Sequence, residues 1–444
     1  MTILKEDDAK AILKKVVGFS KADGCQANLQ GSRTGNIRYA RNTVSTSGLV
    51  DDMTLAVQSN FGKKQGTATV NEFDDASLEK VVRRAEELAK LAPESPEFMD
   101  NLAPQGAYVD GKAWFDTTAN VAPDYRASAA GSSIGPAKAS KAVAAGFLTD
   151  SSAFQALMNE KGLFAYYANT NANFTVTMRT DDGLGSGWAM GDVDDIRQLD
   201  TKAISQVALD KALGSREAKA IEPGKYTVIL EPAASIDLLA NMFFNMNQRQ
   251  ADEGRSFLSK KGGGTKVGEK LLDERITIYS DPTDSQVPVQ GWAGDGQRCD
   301  KVTWIENGVV KTLPTPRYWA QKQGTKPVPF PNNIIMKGGT GTTADLIKDT
   351  KRGILVTRTW YIRSVDPQTV LVTGLTRDGT FFIEDGKISF PIKNLRFNES
   401  PIIMLNNLEA MGAPQRIVGE GINEIVVPPM RIRDFTFSSL SDAV

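Results

Sequence analysis

The sequence predicts an α+β protein, with an N-terminal α/β region built from sheet-plus-helix units and a large β-rich region after it. Up to about residue 222, stretches with apolar residues at helical spacing alternate with short β-rich runs. Beyond that point, β-rich runs separated by glycine-containing turns dominate. The chain has 444 residues, which is longer than a chain that folds around a single hydrophobic core usually is. We therefore expect two or three domains.

The first unit, residues 1–103, is predicted to contain a helix, a meander of strands and a second helix. Short β-rich runs punctuated by glycines follow the first helix. Asp75 is predicted to cap the second helix, whose apolar stripe extends from Leu78 to Ala92 before Pro93 ends it. The proline-containing stretch that follows is typical of a linker.

A second unit, residues 104–222, repeats this plan. Gly183 and Gly187 follow Gly62 and Gly66 at the same interval of 121 residues (183 − 62 and 187 − 66), and a helix again comes after the β-rich runs. A single copy is a weak signal, so two similar units and a chance similarity both stay open.

The third region, residues 223–444, is predicted to be a β-rich domain with a few inserted helices. It opens with a strand at Tyr226–Leu230 and a helix from Pro232 to about Gln248. The later β-rich runs include Ile354–Tyr361, and several are joined by turns that supply a glycine where a hairpin needs positive φ.

Composition excludes several function classes. With 52 basic and 53 acidic residues, the net charge of −1 gives no global reason to bind nucleic acid or an anionic membrane. The N-terminal sequence MTILKEDDAK lacks the pattern of a secretory signal, and no apolar run reaches the roughly 18 residues of a membrane span. Cys25 and Cys299 are the only cysteines, which favours unpaired thiols in a reducing cytoplasm over a disulfide between them.

The chain contains no histidine. This excludes Ser-His-Asp and Cys-His catalysis and every zinc site built on imidazole. Carboxylates or a lysine could still act as a general acid or base, and a metal could still bind to oxygen ligands or to a thiolate with carboxylates.

The densest group of residues suited to binding lies between Arg358 and Asp366. On a regular strand, Arg358, Trp360 and Ile362 face one way, while Thr359, Tyr361 and Arg363 face the other. The candidate substrate-binding residues are Arg358, Trp360, Tyr361, Arg363 and, in the next turn, Arg377. They could hold a peptide along a sheet edge. The alternative is that the aromatic residues pack in the core and the arginines pair with carboxylates.

Acidic pairs are interpreted as solvated turn residues. Asp181-Asp182 and Asp194-Asp195 both lie beside predicted turns, where exposure to water is the usual outcome.

An ordered series of segments resembles the TldD/PmbA family, also called modulators of DNA gyrase. The resemblance is strong over residues 223–444 and looser in the first half, where it depends mainly on NIRYARNTVSTSG. The matching segments are ADEGRSFL (251–258), VGEKLLDERITIYSDPT (267–283), WIENGVVKTL (304–313), TKRGILVTRTWYIRSVDPQT (350–369), TGLTRDGTFFIEDGKI (373–388) and PIKNLRFNESPIIMLNNLEAMG (391–412).

The resemblance implies a dimeric protein related to zinc peptidases. In the catalytic TldD branch, a helix carries H-E-x-x-x-H, and its two histidines hold zinc together with a later cysteine. That motif would fall near Leu239–Phe244, where this chain has no histidine, and no cysteine follows Cys299. The resemblance therefore implies the non-catalytic TldE/PmbA-like branch, with no cofactor in this chain and with zinc in a TldD-like partner.

Three functions follow as hypotheses. In the first, the chain pairs with a TldD-like catalytic subunit in a cytoplasmic metallopeptidase that cleaves unfolded or modified peptides, and the five candidate residues contact an extended substrate. In the second, it is a freestanding homodimeric peptide-binding or scaffold protein. In the third, it is a hydrolase that uses carboxylates or an unusual Asp/Glu/Cys metal site. Activity of the chain alone stays open.

Overall fold

The computed structural model describes residues 3–419 and 422–441 and confirms the α+β class. The first half contains α1 (Glu6–Phe19), β1 (Gly24–Ala40), β2 (Thr43–Phe61), β3 (Lys64–Val70), α2 (Asp75–Leu91), α3 (Asp116–Ala119), α4 (Pro123–Ala139), β4 (Ala142–Asn159), β5 (Phe164–Thr180), β6 (Ser186–Val193), a 3-10 turn (Ile196–Gln198) and α5 (Thr201–Gly214).

The second half is β-rich, as predicted. It contains β7 (Gly224–Leu230), α6 (Pro232–Phe244), α7 (Gln248–Asp252), β8 (Ile278–Ser280), β9 (Val302–Glu306), β10 (Val309–Val310), α8 (Arg317–Gln323), β11 (Ile334–Met336), α9 (Thr343–Lys348), β12 (Arg352–Val356), β13 (Thr359–Asp366), β14 (Leu371–Thr376), β15 (Thr380–Glu384), β16 (Lys387–Pro391), β17 (Leu395–Glu399), α10 (Pro401–Asn406), β18 (Leu408–Met411), β19 (Gln415–Gly419), β20 (Ile422–Val427) and β21 (Met430–Leu440).

Helix boundaries differ from the predictions at two points. The cap of α2 is Asp74 and not Asp75, because the carboxylate of Asp74 accepts hydrogen bonds from the backbone N–H groups of Ala76 and Ser77. The helix predicted to reach Gln248 ends at Phe244, since Asn247 caps the separate helix α7. Among the helices of the described residues, none is long and apolar enough to cross a membrane.

The N-terminal sheet has six antiparallel strands in the order β3-β2-β1-β4-β5-β6. Its centre is the β1–β4 pair, which extends from Gln26 opposite Asn159 to Tyr39 opposite Gly146. The units predicted as residues 1–103 and 104–222 are therefore two halves of one continuous sheet, each with three strands and a following helix.

The repeated glycines occupy equivalent places in the two halves. A Cβ atom on Gly66 of β3 would lie 2.2 Å from the backbone nitrogen of Ala89 in α2. A Cβ atom on Gly187 of β6 would lie 2.1 Å from the backbone oxygen of Ala208 in α5. Each glycine thus lets a helix pack directly against its strand. This equivalent packing explains why the glycines recur at an interval of 121 residues (187 − 66).

The two faces of the N-terminal sheet differ. Apolar side chains such as Leu55 and Phe174 pack against the helices on one face. The alternating positions form the opposite face, here called the open face, which is mostly polar. On β1 and β5 it carries Asn28, Gln30, Ser32, Thr34, Asn36, Asn169, Asn171, Asn173 and Thr175. One end of the open face meets the C-terminal region, where the Tyr167 hydroxyl donates to the backbone oxygen of Pro288.

The C-terminal region contains two sheets with helix α6 in their shared core. The larger sheet has nine strands in the order β13-β14-β17-β21-β7-β12-β15-β16, with β18 also paired to β21, and the other has six in the order β10-β9-β8-β11-β20-β19. Leu238, Leu239 and Met242 of α6 are fully buried among side chains of both sheets. Each such side chain contributes roughly 1.5–3 kcal/mol through burial.

Candidate functional site

The predicted run Ile354–Tyr361 is two strands, and the second of them begins with a bulge. In β13, Trp360 lies opposite Leu375 and Arg363 opposite Thr373, so β13 has one more residue than β14 across this step. Tyr361 takes a left-handed backbone, with φ of 55°. The expected alternation of faces is therefore wrong: Trp360 and its neighbour Tyr361 are both exposed (43% and 58%), whereas Thr359 is buried.

The bulge opens onto a groove of about 290 Å³ between the N-terminal sheet and the C-terminal region. This groove is lined by Trp188, Ala233, Ile236, Asp237, Arg358, Trp360, Tyr361, Ile362, Arg363, Val418 and Gly419. Four of the five predicted binding residues line it directly. The fifth, Arg377, holds its guanidinium 4.7 Å from the Trp360 ring centre.

Arginine and aromatic side chains alternate through the groove. The guanidinium of Arg358 lies 4.4 Å from the ring centre of Trp188 and 5.1 Å from that of Trp360. Arg363 lies 4.2 Å from the ring centre of Tyr361. Such cation–π contacts contribute about 0.5–1 kcal/mol each at exposed sites. The structure thus brings together all five residues, and it leaves Trp360 and Tyr361 outside the core.

Asp378 lies behind the groove and holds Arg358 in place. Its side chain is buried, accepts a hydrogen bond of 2.8 Å from Nη1 of Arg358 and one of 2.6 Å from Oγ of Ser186. Since Ser186 begins β6, this carboxylate joins the two halves of the molecule directly behind the groove. Asp378 directly follows Arg377 in the turn predicted after β14, and its positive φ of 55° agrees with a turn.

Trp188 is a groove residue that the sequence-based prediction missed. It lies on β6 opposite Thr177 and projects from the open face of the N-terminal sheet. The signal was present in the alternation Trp188, Met190, Asp192, which marks one face of a strand. Nothing in that pattern indicated that a strand from the C-terminal region would lie alongside.

An ion cluster, here called the clasp, joins the two regions on the same side as the groove. Arg416 of β19 lies 2.6 Å from a carboxylate oxygen of Asp192 and 2.9 Å from one of Asp194. The carboxyl group of Glu424 also interacts electrostatically with Arg416. Burial raises the pKa of Asp194 to about 6 and raises the pKa of Glu424, although Arg416 opposes both shifts.

The clasp corrects the interpretation of Asp194-Asp195 as solvated turn residues. Asp194 is largely buried against Arg416, and Asp195 is 4% exposed. Hydrogen bonds from Arg197 hold the pKa of Asp195 well below its usual range. Asp181 and Asp182 do lie at the surface, where Asp182 pairs with Arg216 at 2.5 Å.

Family profiles match both ends of the chain. The profile described as PmbA/TldA metallopeptidase C-terminal domain matches residues 223–439, and that described as PmbA/TldA metallopeptidase domain 1 matches residues 25–89. The chain belongs to the PmbA/TldD family. A metalloprotease from Methanothermobacter thermautotrophicus is 23% identical over 296 residues, which cover 60% of this chain and 62% of that protein.

Solved structures share the fold of this PmbA/TldD protein. TldE from Thermococcus kodakarensis superposes with a TM-score of 0.86 at 18% identity, over 97% of this chain and 99% of that chain. A putative modulator of DNA gyrase from Thermotoga maritima superposes with a TM-score of 0.85 at 15% identity, over 97% and 100% respectively. At these identities the likeness concerns the fold alone.

In this PmbA/TldD chain, the segment near Leu239–Phe244 lies on helix α6, and most of its side chains are in the core. Leu239, Ala240, Met242 and Phe243 of α6 are buried, and the Asn241 amide donates to the backbone oxygen of Asp237. Within residues 3–419 and 422–441, no three His, Cys, Asp or Glu side chains are placed to hold a metal ion. The side chains of Leu239–Phe244 include no imidazole, thiolate or carboxylate that could bind zinc.

The two cysteines are free and buried, as the sequence favoured. Burial raises the pKa of the Cys25 thiol to about 11 and that of the Cys299 thiol to about 12. Both remain protonated thiols near neutral pH, which disfavours a role as nucleophile or metal ligand.

Proposed function

We propose that this chain is the TldE-like, non-catalytic subunit of a two-chain metallopeptidase and binds an extended peptide in the groove. The observation that carries the proposal is the combination of membership in a metallopeptidase family with a chain that has no histidine. Where the catalytic branch would need imidazoles, α6 carries buried apolar side chains. A TldD-like partner would supply the zinc and the water that attacks the peptide bond.

The groove has the chemistry of a peptide-binding surface. β13 is an edge strand of the nine-stranded sheet, so its outer backbone groups are available to pair with an extended chain. Trp360 and Tyr361 offer exposed aromatic surface, and Arg363 adds a cation that can meet a carboxylate or a backbone carbonyl. These contacts use the backbone and general side-chain classes, which suits unfolded or modified peptides of varied sequence.

The cytoplasm is the proposed location. Two buried free thiols without a disulfide agree with a reducing compartment.

A reconstitution assay tests the proposal. Cleavage of an unstructured peptide is measured with this chain alone, with a TldD-like chain alone and with both, and zinc is measured in each purified sample. We expect zinc only in the TldD-like chain and the fastest cleavage with both. Stoichiometric zinc and peptide cleavage by this chain alone would contradict the proposal and favour a metal-dependent hydrolase.

A second candidate is a freestanding homodimeric peptide-binding or scaffold protein. It is favoured by the clustering of Trp360, Tyr361 and Arg363 on one strand, because this binding surface needs no residue from a catalytic partner. Capture experiments separate the two functions, because only the first requires a TldD-like chain to co-purify with this protein from its own cells.

A further inference from the structure

The charge of Arg363 differs from that of the other groove arginines because no carboxylate of the described chain balances it. Arg358 and Arg377 both face Asp378, with a carboxylate oxygen 2.8 Å from Nη1 of Arg358 and 3.8 Å from Nε of Arg377. Among the described residues, Arg363 forms no ion pair, and its Nη1 donates instead to the backbone oxygen of Ile362 at 2.8 Å. The groove therefore presents a guanidinium that is available to a ligand.

The acidic side chains close to Arg363 do not neutralise it. Asp366, farther along β13, accepts hydrogen bonds from its own turn, 2.7 Å from Oγ1 of Thr369 and 3.0 Å from the backbone nitrogen of Gln368. Asp237 also lines the groove but is not paired with Arg363. Within the described part of the chain, three arginines and two aspartates thus leave this surface with one surplus positive charge.

The guanidinium of Arg363 is positioned to bind a carboxylate. It lies 4.2 Å from the ring centre of Tyr361, the residue with left-handed backbone in the bulge. A guanidinium that rests on a ring keeps its N–H groups at its edge, where they can donate side by side to both oxygens of one carboxylate. Arg363 is exposed, so a ligand can approach this edge from solvent.

Strand β13 places Arg363 beside the middle of a bound peptide, not beside its end. Arg363 lies inside the strand Thr359–Asp366, and in the part of the chain that the structure describes only β14 pairs with this strand. An extended peptide on the outer edge would therefore continue past Arg363 in both directions. Residues directly opposite each other on neighbouring strands project to the same face about 4.5–5.5 Å apart, so the peptide residue opposite Arg363 can reach its guanidinium.

We propose that the groove selects extended peptides by an internal aspartate or glutamate, whose carboxylate binds Arg363 while an apolar side chain near it packs on Trp360. This inference rests on the proposed peptide-binding function and adds a substrate class to it. A free C-terminus offers the same carboxylate chemistry, but the position of Arg363 within the strand favours an internal side chain. A lysine at the same peptide position would be repelled.

Equilibrium binding of labelled peptides to the full chain tests the proposal. Three unstructured peptides, acetylated and amidated at their ends, differ only in one central residue beside a leucine: aspartate, asparagine or lysine. Measured by fluorescence anisotropy, the asparagine peptide should bind about three- to tenfold more weakly than the aspartate peptide, and the lysine peptide most weakly. The difference between aspartate and asparagine should shrink as the salt concentration rises, because the charge pair is exposed.

Variants of Arg363 separate its charge from other features of the groove. Arg363→Gln should make the aspartate and asparagine peptides bind equally, and Arg363→Glu should make the lysine peptide bind most tightly. Arg352→Glu is the matched control: Arg352 is also exposed and lies over a ring, 5.6 Å from the ring centre of Phe382, but it is outside the groove. This control should keep the original order of affinities. Circular dichroism checks that all three variants are folded.

The possible outcomes distinguish this inference from the proposed function. Equal binding of the aspartate and asparagine peptides would overturn the inference and leave the proposed function intact. A preference for aspartate that persists in Arg363→Gln would also overturn it, as would tight binding that requires a free C-terminus, which would assign Arg363 to the peptide end. Loss of binding for every peptide, with or without the TldD-like chain, would overturn both the groove as a peptide site and this inference.

Discussion

At the residue scale, the groove depends on a carboxylate that no ligand would touch. Asp378 is buried and holds Arg358 between two tryptophan rings through a hydrogen bond of 2.8 Å. The same carboxylate accepts a hydrogen bond from Ser186 on the N-terminal sheet. Asp378 therefore positions Arg358 and stabilises the junction between the two regions at the same time.

Replacing Asp378 with asparagine should destabilise the protein by roughly 2–3 kcal/mol, because the charged partner of a part-buried guanidinium is lost. The measurement is the shift of the urea unfolding midpoint. Asp385→Asn is the matched control, since Asp385 occupies a similar Asp-Gly turn at φ of 48° but is exposed. Equal stability of the two variants would show that Asp378 does not support the junction.

Trp360→Ala and Tyr361→Ala should each lower kcat/KM for peptide cleavage by the reconstituted pair about two- to tenfold, because aromatic contacts of about 0.5–1.5 kcal/mol are lost. Both side chains are exposed, so the free energy of unfolding should change by less than about 1 kcal/mol. Phe330→Ala, half-exposed beside a different cavity, serves as the control. Unchanged cleavage in both variants would remove these side chains from the substrate surface.

At the element scale, periodicity in the sequence predicted the β-rich character after residue 222 and the strand that opens it, but not the bulge in β13. The alternation rule assumes one residue opposite one, and the extra residue before Arg363 depends on how β14 lies alongside. The equal spacing of the repeated glycines, by contrast, has a cause within each half of the N-terminal sheet. Gly66 and Gly187 each face a helix packed on their own half of the sheet, so their equal spacing was visible before the fold was known.

Gly66→Ala and Gly187→Ala should each destabilise the protein by about 1–3 kcal/mol, because the new methyl group would meet helix backbone at 2.2 Å and 2.1 Å. Gly131→Ala is the contrasting control: it lies within α4 with no atom within 4 Å of the new Cβ, so it should stabilise by about 0.5–1 kcal/mol. Thermal unfolding measures all three. A stabilising Gly187→Ala would refute the close helix–strand contact.

At the scale of the whole molecule, contacts between distant parts of the chain build the site, and these were beyond a single sequence. Ser186 and Asp378 are 192 residues apart, and Asp192 and Arg416 are 224 apart. The chain has 53 acidic and 52 basic residues, so local pattern does not reveal which of them pair across the junction. Arg358, Trp360, Tyr361, Arg363 and Arg377 were predictable as a group because they are close together in sequence. Their spacing also did not match the apolar pattern of a buried strand or helix.

Because of the clasp, the free energy of unfolding should depend on pH. Burial raises the pKa of Asp194 to about 6 from an unfolded value near 3.8, so the folded state favours the protonated carboxyl. The resulting stabilisation is complete below about pH 4 and is lost as the pH rises through about 6. The groups facing Asp194 are Arg416 and Asp192, with Tyr167 and Glu424 also in electrostatic contact.

Asp194→Asn therefore tests this dependence, because asparagine cannot ionise. The free energy of unfolding of the variant minus that of the unmodified protein should increase between pH 4 and pH 7 by on the order of 2–3 kcal/mol. Asp182→Asn is the control: hydrogen bonds, first that from Thr180, lower the pKa of Asp182 to about 2, so its contribution changes below pH 4 and is constant over the tested range. A difference that is flat for Asp194→Asn would mean that Arg416 holds this carboxylate ionised throughout, and that the clasp acts as a pH-independent ion pair between the two regions.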